Sequence, residues 1–188
     1  MEFKWIIFFS IVGLLIFSGF FLRAYPKFKE EFVRIDIQER TGQIQCDFWL
    51  ESNLGFIPFM FPFPTGNQEP PEKIEILENK SPRPFLVLSP EKLFWVGFLQ
   101  NGRNLVKFNY EQKYSCSDTC SFTYIVSSAR SWGEPLEKAK FLITLPEGAE
   151  LISISYPYTK TDDGYLIELS PFWPEDEVTV IFMPKGKV

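Results

Sequence analysis

The sequence predicts an all-β fold, an antiparallel β-sandwich, preceded by one transmembrane helix at the N-terminus. Three observations support this prediction. Residues 5–22 form an uncharged apolar run, the later apolar segments alternate with polar residues at a period of two, and Pro or Gly separates those segments. A partly open barrel is the alternative arrangement for the same strands.

The apolar run begins at Trp5 and ends at Leu22. A helix of this length extends for about 27 Å, close to the hydrocarbon thickness of a bilayer. The run is apolar on every face, which a buried core helix does not explain well. We therefore expect residues 1–30 to contain a membrane anchor or signal-anchor with a juxtamembrane segment, and residues 31–188 to form a single β domain. Whether the anchor is cleaved stays open.

The charges and the cysteines give opposite indications of membrane topology. More Lys and Arg residues follow the apolar run than precede it, which favours a cytoplasmic domain. Cys116 and Cys120 flank a short polar loop, and a metal site would need further ligands in a chain with no His and one other Cys. The pair is most simply a disulfide, which persists in oxidising compartments. Because long domains translocate with little regard to charge, we expect a single-pass cell-membrane protein with its domain outside the cytoplasm.

Two hairpins are predicted from alternation and turn residues. "VRIDIQ" and "QIQCDFWL" alternate on either side of "ERTG", where Gly42 is available for positive φ. In the second strand, Cys46 is expected to be a small buried apolar residue. Asn101-Gly102 lies between two further alternating runs and predicts a second hairpin.

Seven further strands complete the predicted sheets, and no helix is expected after the anchor. They are predicted at Ile74 to Leu77, Phe85 to Leu88, "SFTYIVS", "AKFLITL", "ELISISY", "YLIELS" and "EVTVIFM", with "TKTDDG" as a connection.

A Phe-Pro segment at residues 56–64 allows two interpretations. In an extended strand Ile57, Phe59, Phe61 and Phe63 share one face, while three prolines take the other parity. That arrangement describes an edge strand whose outer edge is blocked by proline. The alternative is an exposed aromatic loop that contacts lipid headgroups or a partner.

Aromatic pairs at 48–49 and 94–95 place one ring of each pair on either face of a strand. Because aromatic residues anchor interfaces, we expect an interaction surface formed by the Phe-Pro segment and these pairs. Its predicted residues are Phe56, Phe59, Phe61, Phe63, Trp49 and Trp95. Exposed Trp side chains would alternatively form a carbohydrate-binding surface.

Residues 123–148, "TYIVSSARSWGEPLEKAKFLITLPEG", resemble uncharacterised exported or envelope-associated β proteins of bacteria and archaea. In these, an aromatic-led strand is followed by a Trp-Gly turn and by a strand that ends at Pro. The matching positions are Tyr124, Trp132, Gly133, Ala139, Phe141, Ile143 and Pro146. The resemblance implies a fold and a location in the cell envelope, and no reaction.

Catalytic chemistry has little support in the sequence. No His is present to act as a base for a nucleophilic Ser or Cys. Paired carboxylates could serve a hydrolase, but the candidate acids lie in predicted turns; they are Glu134, Glu137, Asp162, Asp163, Glu175, Asp176 and Glu177. Neither metal-ligand spacing nor a phosphate-binding glycine loop occurs, so we expect no metal and no cofactor.

The sequence therefore predicts a membrane-anchored extracytoplasmic domain that is not an enzyme. Its expected role is structural or protein-binding in the cell envelope, with carbohydrate binding as the alternative and a carboxylate-based hydrolase behind it. The expected partners are the lipid bilayer and other envelope proteins, and carbohydrate under the alternative. Nucleic acid is not expected, because the net charge is -5 and no basic block is present.

Overall fold

A computed structural model describes residues 26–52, 57–63, 68–90, 92–126, 133–173 and 175–185. Over these ranges the chain is all β, without a helix. Consequently, none of the described segments is a helix that could cross a bilayer. The predicted span from Trp5 to Leu22 lies outside these ranges.

Fourteen strands occupy the described ranges. In chain order they are β1 (Lys27–Ile37), β2 (Thr41–Ser52), β3 (Ile57–Pro62), β4 (Glu72–Glu78), β5 (Ser81–Pro82), β6 (Phe85–Ser89), β7 (Lys92–Gly97), β8 (Gly102–Lys113), β9 (Cys120–Tyr124), β10 (Lys138–Thr144), β11 (Glu150–Ile154), β12 (Thr159–Thr161), β13 (Gly164–Leu169) and β14 (Val178–Met183). All the predicted strand segments are present. The predicted connection "TKTDDG" instead contains β12 and its turn to β13.

The strands form one large sheet and two small ones. The large sheet has the order β12-β13-β10-β1-β2-β8-β4-β5, and the small sheets have the orders β11-β14-β9 and β3-β7-β6. All pairings are antiparallel except that of β1 with β10. The large sheet is therefore mixed, and the prediction of purely antiparallel pairing is wrong. The reason is that β2 occupies one edge of β1, and the distant β10 joins the other edge in parallel.

Both small sheets cover the same face of the large sheet. Cys46 and Phe108 are paired neighbours on β2 and β8, and both are fully buried. The Phe108 ring contacts Phe61 of β3, with centroids 4.4 Å apart, while the Cys46 sulfur lies 3.3 Å from the Tyr124 hydroxyl of β9. The fold is thus two layers, with the core between the large sheet and the two small sheets.

Alternation along the long strands assigns one face to the core and the other to solvent. On β8 every second residue from Asn104 to Gln112 is buried. The outer face carries polar pairs: Lys107 lies opposite Asp47, with 2.7 Å between the ammonium and a carboxylate oxygen. The period-two pattern read from the sequence therefore corresponds to burial on one face.

The first predicted hairpin is confirmed, with a different role for its glycine. Ile37 pairs with Gly42, so the glycine lies inside β2 and not at a turn position with positive φ. A Cβ atom at Gly42 would lie 2.4 Å from the Phe122 ring of β9. The absence of a side chain therefore allows β9 to pack closely on β2.

The second predicted hairpin is wrong, because β7 and β8 belong to different layers. Gly102 does have positive φ, at 93°, as its turn chemistry requires. Residues 98–101, however, carry the chain from the small sheet to the large one. The buried Asn104 side chain accepts a hydrogen bond from the Gln100 N–H and donates to the Gln100 and Gly102 carbonyls, which fixes this crossing.

Within the Phe-Pro segment, Ile57–Pro62 forms an edge strand, as the first of its two interpretations predicts. β3 pairs with β7 alone. Phe59, Phe61 and Phe63 are buried, and Met60 between them is exposed. The aromatic side chains point to the core because burial of three rings stabilises far more than their exposure would.

Candidate functional site

A buried polar cluster lies between the large sheet and β9. It consists of Glu31 of β1, Cys46 of β2 and Tyr124 of β9, which are all almost fully buried. The Tyr124 hydroxyl donates a hydrogen bond of 2.9 Å to a Glu31 carboxylate oxygen, and its oxygen lies 3.3 Å from the Cys46 sulfur. Cys46 is a free, buried cysteine, as predicted.

Burial is the main cause of the shifted pKa values in this cluster. It raises the pKa of Glu31 from 4.5 to about 7, although the hydrogen bond from Tyr124 acts in the opposite direction. Burial also raises the pKa of Cys46 and the pKa of Tyr124 well above their ordinary values. At neutral pH the cluster can therefore hold a proton on a carboxyl group inside the core.

Sequence reasoning missed Glu31, although the signal was present. Glu31 has the same parity as Val33, Ile35 and Ile37, so strict alternation places its carboxylate on the apolar face of β1. An acid in phase with the buried residues of a strand indicates a buried carboxyl group.

A groove of about 760 Å³ lies at one end of the domain and is called the end groove. Loops after β1, β8, β10 and β14 form it. Its lining residues are Glu39, Arg40, Tyr114, Ser115, Cys116, Ser117, Pro146, Glu147, Phe182, Pro184 and Lys185. The disulfide predicted between Cys116 and Cys120 forms, with 4.6 Å between the Cα atoms, and it constrains one wall.

The end groove combines an aromatic floor with charges of both signs. Tyr114 and Phe182 are buried and meet edge to face, with ring centroids 6.2 Å apart. The Tyr114 hydroxyl donates a hydrogen bond of 2.6 Å to the Gln38 carbonyl, and burial raises its pKa to about 12. Arg40 and Lys185 provide cations, and Glu147 lies 3.9 Å from the Lys185 ammonium. Such a lining suits a short peptide segment, which carries amide groups and charges of both signs.

The predicted interaction surface does not form as one exposed surface. Phe59, Phe61, Phe63 and Trp95 are buried, because their parity points them to the core. Phe56 lies outside the described ranges. Trp49 is half-buried on the outer face of β2, where the Arg103 guanidinium lies 4.5 Å from the ring centroid. The four buried rings therefore belong to the core and do not face a partner or a sugar.

The acids weighed for hydrolysis remain apart in the structure. Glu134 and Glu137 pair with Lys27 and Lys29 beside β1, whereas Glu177 accepts a hydrogen bond from the Val126 N–H near β14. Asp162 and Asp163 form the exposed turn between β12 and β13.

No protein-family model matches the chain, and no curated protein sequence matches it. Solved structures do match. Native leukotriene A4 hydrolase from Saccharomyces cerevisiae has a TM-score of 0.51 and 10% identity, over 84% of this chain and 29% of that chain. An M1 zinc metallopeptidase from Deinococcus radiodurans has a TM-score of 0.49 and 8% identity, over 86% and 42%. This chain spans less than half the length of these neighbours.

This likeness concerns the fold, and it corrects the functional prediction. The β fold of this chain occurs within leukotriene A4 hydrolase, which is an enzyme. The predictions of a non-catalytic envelope role and of a protein that is not an enzyme are therefore wrong in the light of this neighbour.

The residues of this chain do not fit a zinc site. The sequence has no His. Two of its three Cys residues form the disulfide and the third is buried. Across the part of the chain that the structure describes, no group of three or more Cys, Asp or Glu side chains is arranged to hold a metal ion.

The raised pKa of Glu31 predicts that stability falls with pH. Below about pH 4.5 both states hold the proton, so the stabilisation is complete. Between about pH 4.5 and 7 the unfolded state ionises while the folded state keeps its proton, so the free energy of unfolding decreases. The decrease should total about 3 kcal/mol.

Glu31→Gln should remove this decrease, because the amide stays neutral and still accepts the Tyr124 hydrogen bond. Urea unfolding from pH 4 to 8 measures the effect, with the exposed Glu150→Gln as the matched control. A Glu31→Gln variant whose pH profile parallels that of the unchanged protein would contradict the assignment.

Proposed function

We propose that this chain is the β domain of a membrane-tethered, peptidase-type enzyme, in which it holds peptide substrate beside a catalytic part located elsewhere. The observation that carries the proposal is the fold match to leukotriene A4 hydrolase. It covers 84% of this chain but 29% of that enzyme, so this fold constitutes a minor part of a larger hydrolase.

The metal-ligating residue types present in this chain are consistent with a domain that binds substrate and does not hold the catalytic metal. The sequence has no His, and the residues that the structure describes include no cluster of acids suited to a metal, so the metal and the residues that bind it would belong to the catalytic part. This division assigns binding and orientation of substrate to the β domain. Fold likeness is the basis of the proposal, and the groove residues make it specific.

The end groove is the substrate-holding surface in this proposal. Arg40 and Lys185 can pair with a carboxylate, and Glu39 and Glu147 with an ammonium. The disulfide keeps the wall that contains Cys116 in a fixed position relative to the floor.

The apolar run from Trp5 to Leu22 supports a membrane location. Its length and lack of charge are those of a single bilayer span, so the lipid bilayer is a proposed partner. The Cys116–Cys120 disulfide supports a location of the domain outside the cytoplasm. A catalytic part of the enzyme would then be sought at the same membrane surface.

The peptidase proposal predicts metal-dependent peptidase activity when the full chain is purified from native membranes with the catalytic part of the enzyme still bound. A chelator should abolish the activity and zinc should restore it. Reversing two groove cations, Arg40→Glu with Lys185→Glu, should raise KM for a peptide with a free carboxylate and leave kcat nearly unchanged, because binding is lost and chemistry is not.

Lys160→Glu, an exposed reversal on β12 away from the groove, is the matched control. Absence of chelator-sensitive peptidase activity would refute the proposed function. If the groove variant is active with an unchanged KM, the end groove does not bind the substrate, although the proposed function itself would stand.

The membrane topology predicts that protease added to intact spheroplasts removes a C-terminal tag from this protein. A cytosolic protein measured in parallel shows that the membrane stays sealed. A surviving tag would place the domain on the cytoplasmic side, where the positive-inside rule would have located it.

A further inference from the structure

Four large apolar side chains are exposed together on the small sheet β3-β7-β6 and at the end of β7. Met60, Leu86, Leu88 and Phe98 are each between 51% and 67% exposed, and we call them the apolar patch. Monomeric soluble proteins rarely expose contiguous apolar surface of this kind without an interaction to cover it.

The register of the strands makes the apolar patch continuous. Phe94 of β7 pairs with Met60 on one side and with Leu86 on the other, so the three side chains form a row across the outer face. A shallow depression of about 230 Å³ adjoins this row. Its lining is Pro84, Phe85, Leu86, Phe94, Trp95, Val96 and Phe98. The patch is therefore a face three strands wide, and not one exposed strand edge.

The Phe98 end of the apolar patch lies within about 24 Å of the start of β1, as strand register and chain length show. Strand β2 lies between β1 and β8. Its residue Glu51 pairs with Lys27 at the start of β1, and the next residue, Ser52, pairs with Gly102 at the start of β8. Gly102 is therefore two strand spacings, or about 10 Å, from the start of β1. Phe98 precedes Gly102 by four residues and is at most about 14 Å from it. Leu22 and Lys27 are separated by five residue steps, or at most about 17 Å of extended chain.

From this proximity we propose that the apolar patch docks on the surface of the lipid bilayer in which the chain is anchored. The inference rests on the tether of the proposed function and not on its peptidase activity. A tether this short keeps the patch at high effective concentration near the bilayer, so a modest apolar surface is sufficient for docking.

The chemistry of the apolar patch fits the bilayer interface. Aliphatic and aromatic side chains enter the boundary between headgroups and acyl chains, and cations at the margin pair with lipid phosphates. Lys92 at the start of β7 is exposed. Glu78, near Phe98, is buried, and its carboxylate accepts hydrogen bonds from Arg83 and the Phe98 N–H, so it presents no repulsive charge.

A strand added to the edge of β6 by another polypeptide is the rival occupant. It would cover Leu86, Val87 and Leu88, but Met60 lies two strands away on β3. A planar lipid surface contacts the whole row, which is why the bilayer is favoured.

The test uses the full chain in phosphatidylcholine and phosphatidylglycerol nanodiscs. Leu86→Cys introduces an accessible thiol for an environment-sensitive fluorophore, because Cys46 is buried and the other cysteines are bonded. Ile152→Cys, at an exposed position of the other small sheet, is the matched control. We expect a blue shift and loss of fluorescence on acyl-brominated lipid at position 86, and neither at position 152.

Leu86→Glu combined with Leu88→Glu should abolish the same quenching of a label at Met60→Cys while leaving the melting temperature unchanged. Equal signals at positions 86 and 152 overturn the inference. The inference is also overturned if the label at position 86 becomes shielded only as the number of protein chains per nanodisc rises, whether or not the lipid is brominated. That result would indicate contact with a second copy of the chain. If alkaline carbonate releases the chain from the membrane, both the membrane tether and the docking of the apolar patch are refuted. The proposed peptidase activity is tested separately and does not depend on this result.

Discussion

Coverage of one apolar face of the large sheet is the constraint on which the rest of the structure depends. The strands β1, β2, β8 and β10 present a continuous row of buried side chains on that face. Neither small sheet is wide enough to cover it alone. The Phe108 ring packs against Phe61 of one small sheet, with ring centroids 4.4 Å apart. The Phe141 ring packs against Tyr124 of the other, with ring centroids 6.2 Å apart.

This arrangement explains the positions of the features that could carry function. The buried Glu31 lies where β9 packs on the large sheet, so its proton is linked to the contact between layers. The end groove is formed by the turn between β1 and β2, by the segments that join β8 to β9 and β10 to β11, and by residues after β14. The apolar patch is the outer face of the small sheet whose inner face covers Phe108. Each feature therefore follows from how the two layers are joined.

Much of the fold was predictable from the sequence, since period-two alternation located the strands and the buried parity of residues such as Phe59 and Phe61. Strand pairing was not predictable. Asn101-Gly102 has the chemistry of a hairpin, but burial of Leu99 and the hydrogen bonds of Asn104 direct the chain into the other layer. The parallel pairing of β1 with β10 joins segments more than 100 residues apart, and no local signal encodes it.

The candidate site was less predictable than the fold. Position 31 carried a usable signal through its parity, whereas the end groove brings together residues from four distant loops. Four of the aromatic residues expected at an interface, Phe59, Phe61, Phe63 and Trp95, are in the core, because the large apolar face requires them there. The exposed residues Leu86 and Met60 looked in the sequence like ordinary members of strands.

Aromatic packing at Phe108 holds the small sheet β3-β7-β6 on the large one. A double-mutant cycle of Phe61→Leu and Phe108→Leu, read by urea unfolding, measures this contact directly. Because the two rings touch, we expect a coupling free energy of about 1 kcal/mol. Strictly additive losses of stability would contradict it, and would mean that the two layers are not joined through this contact.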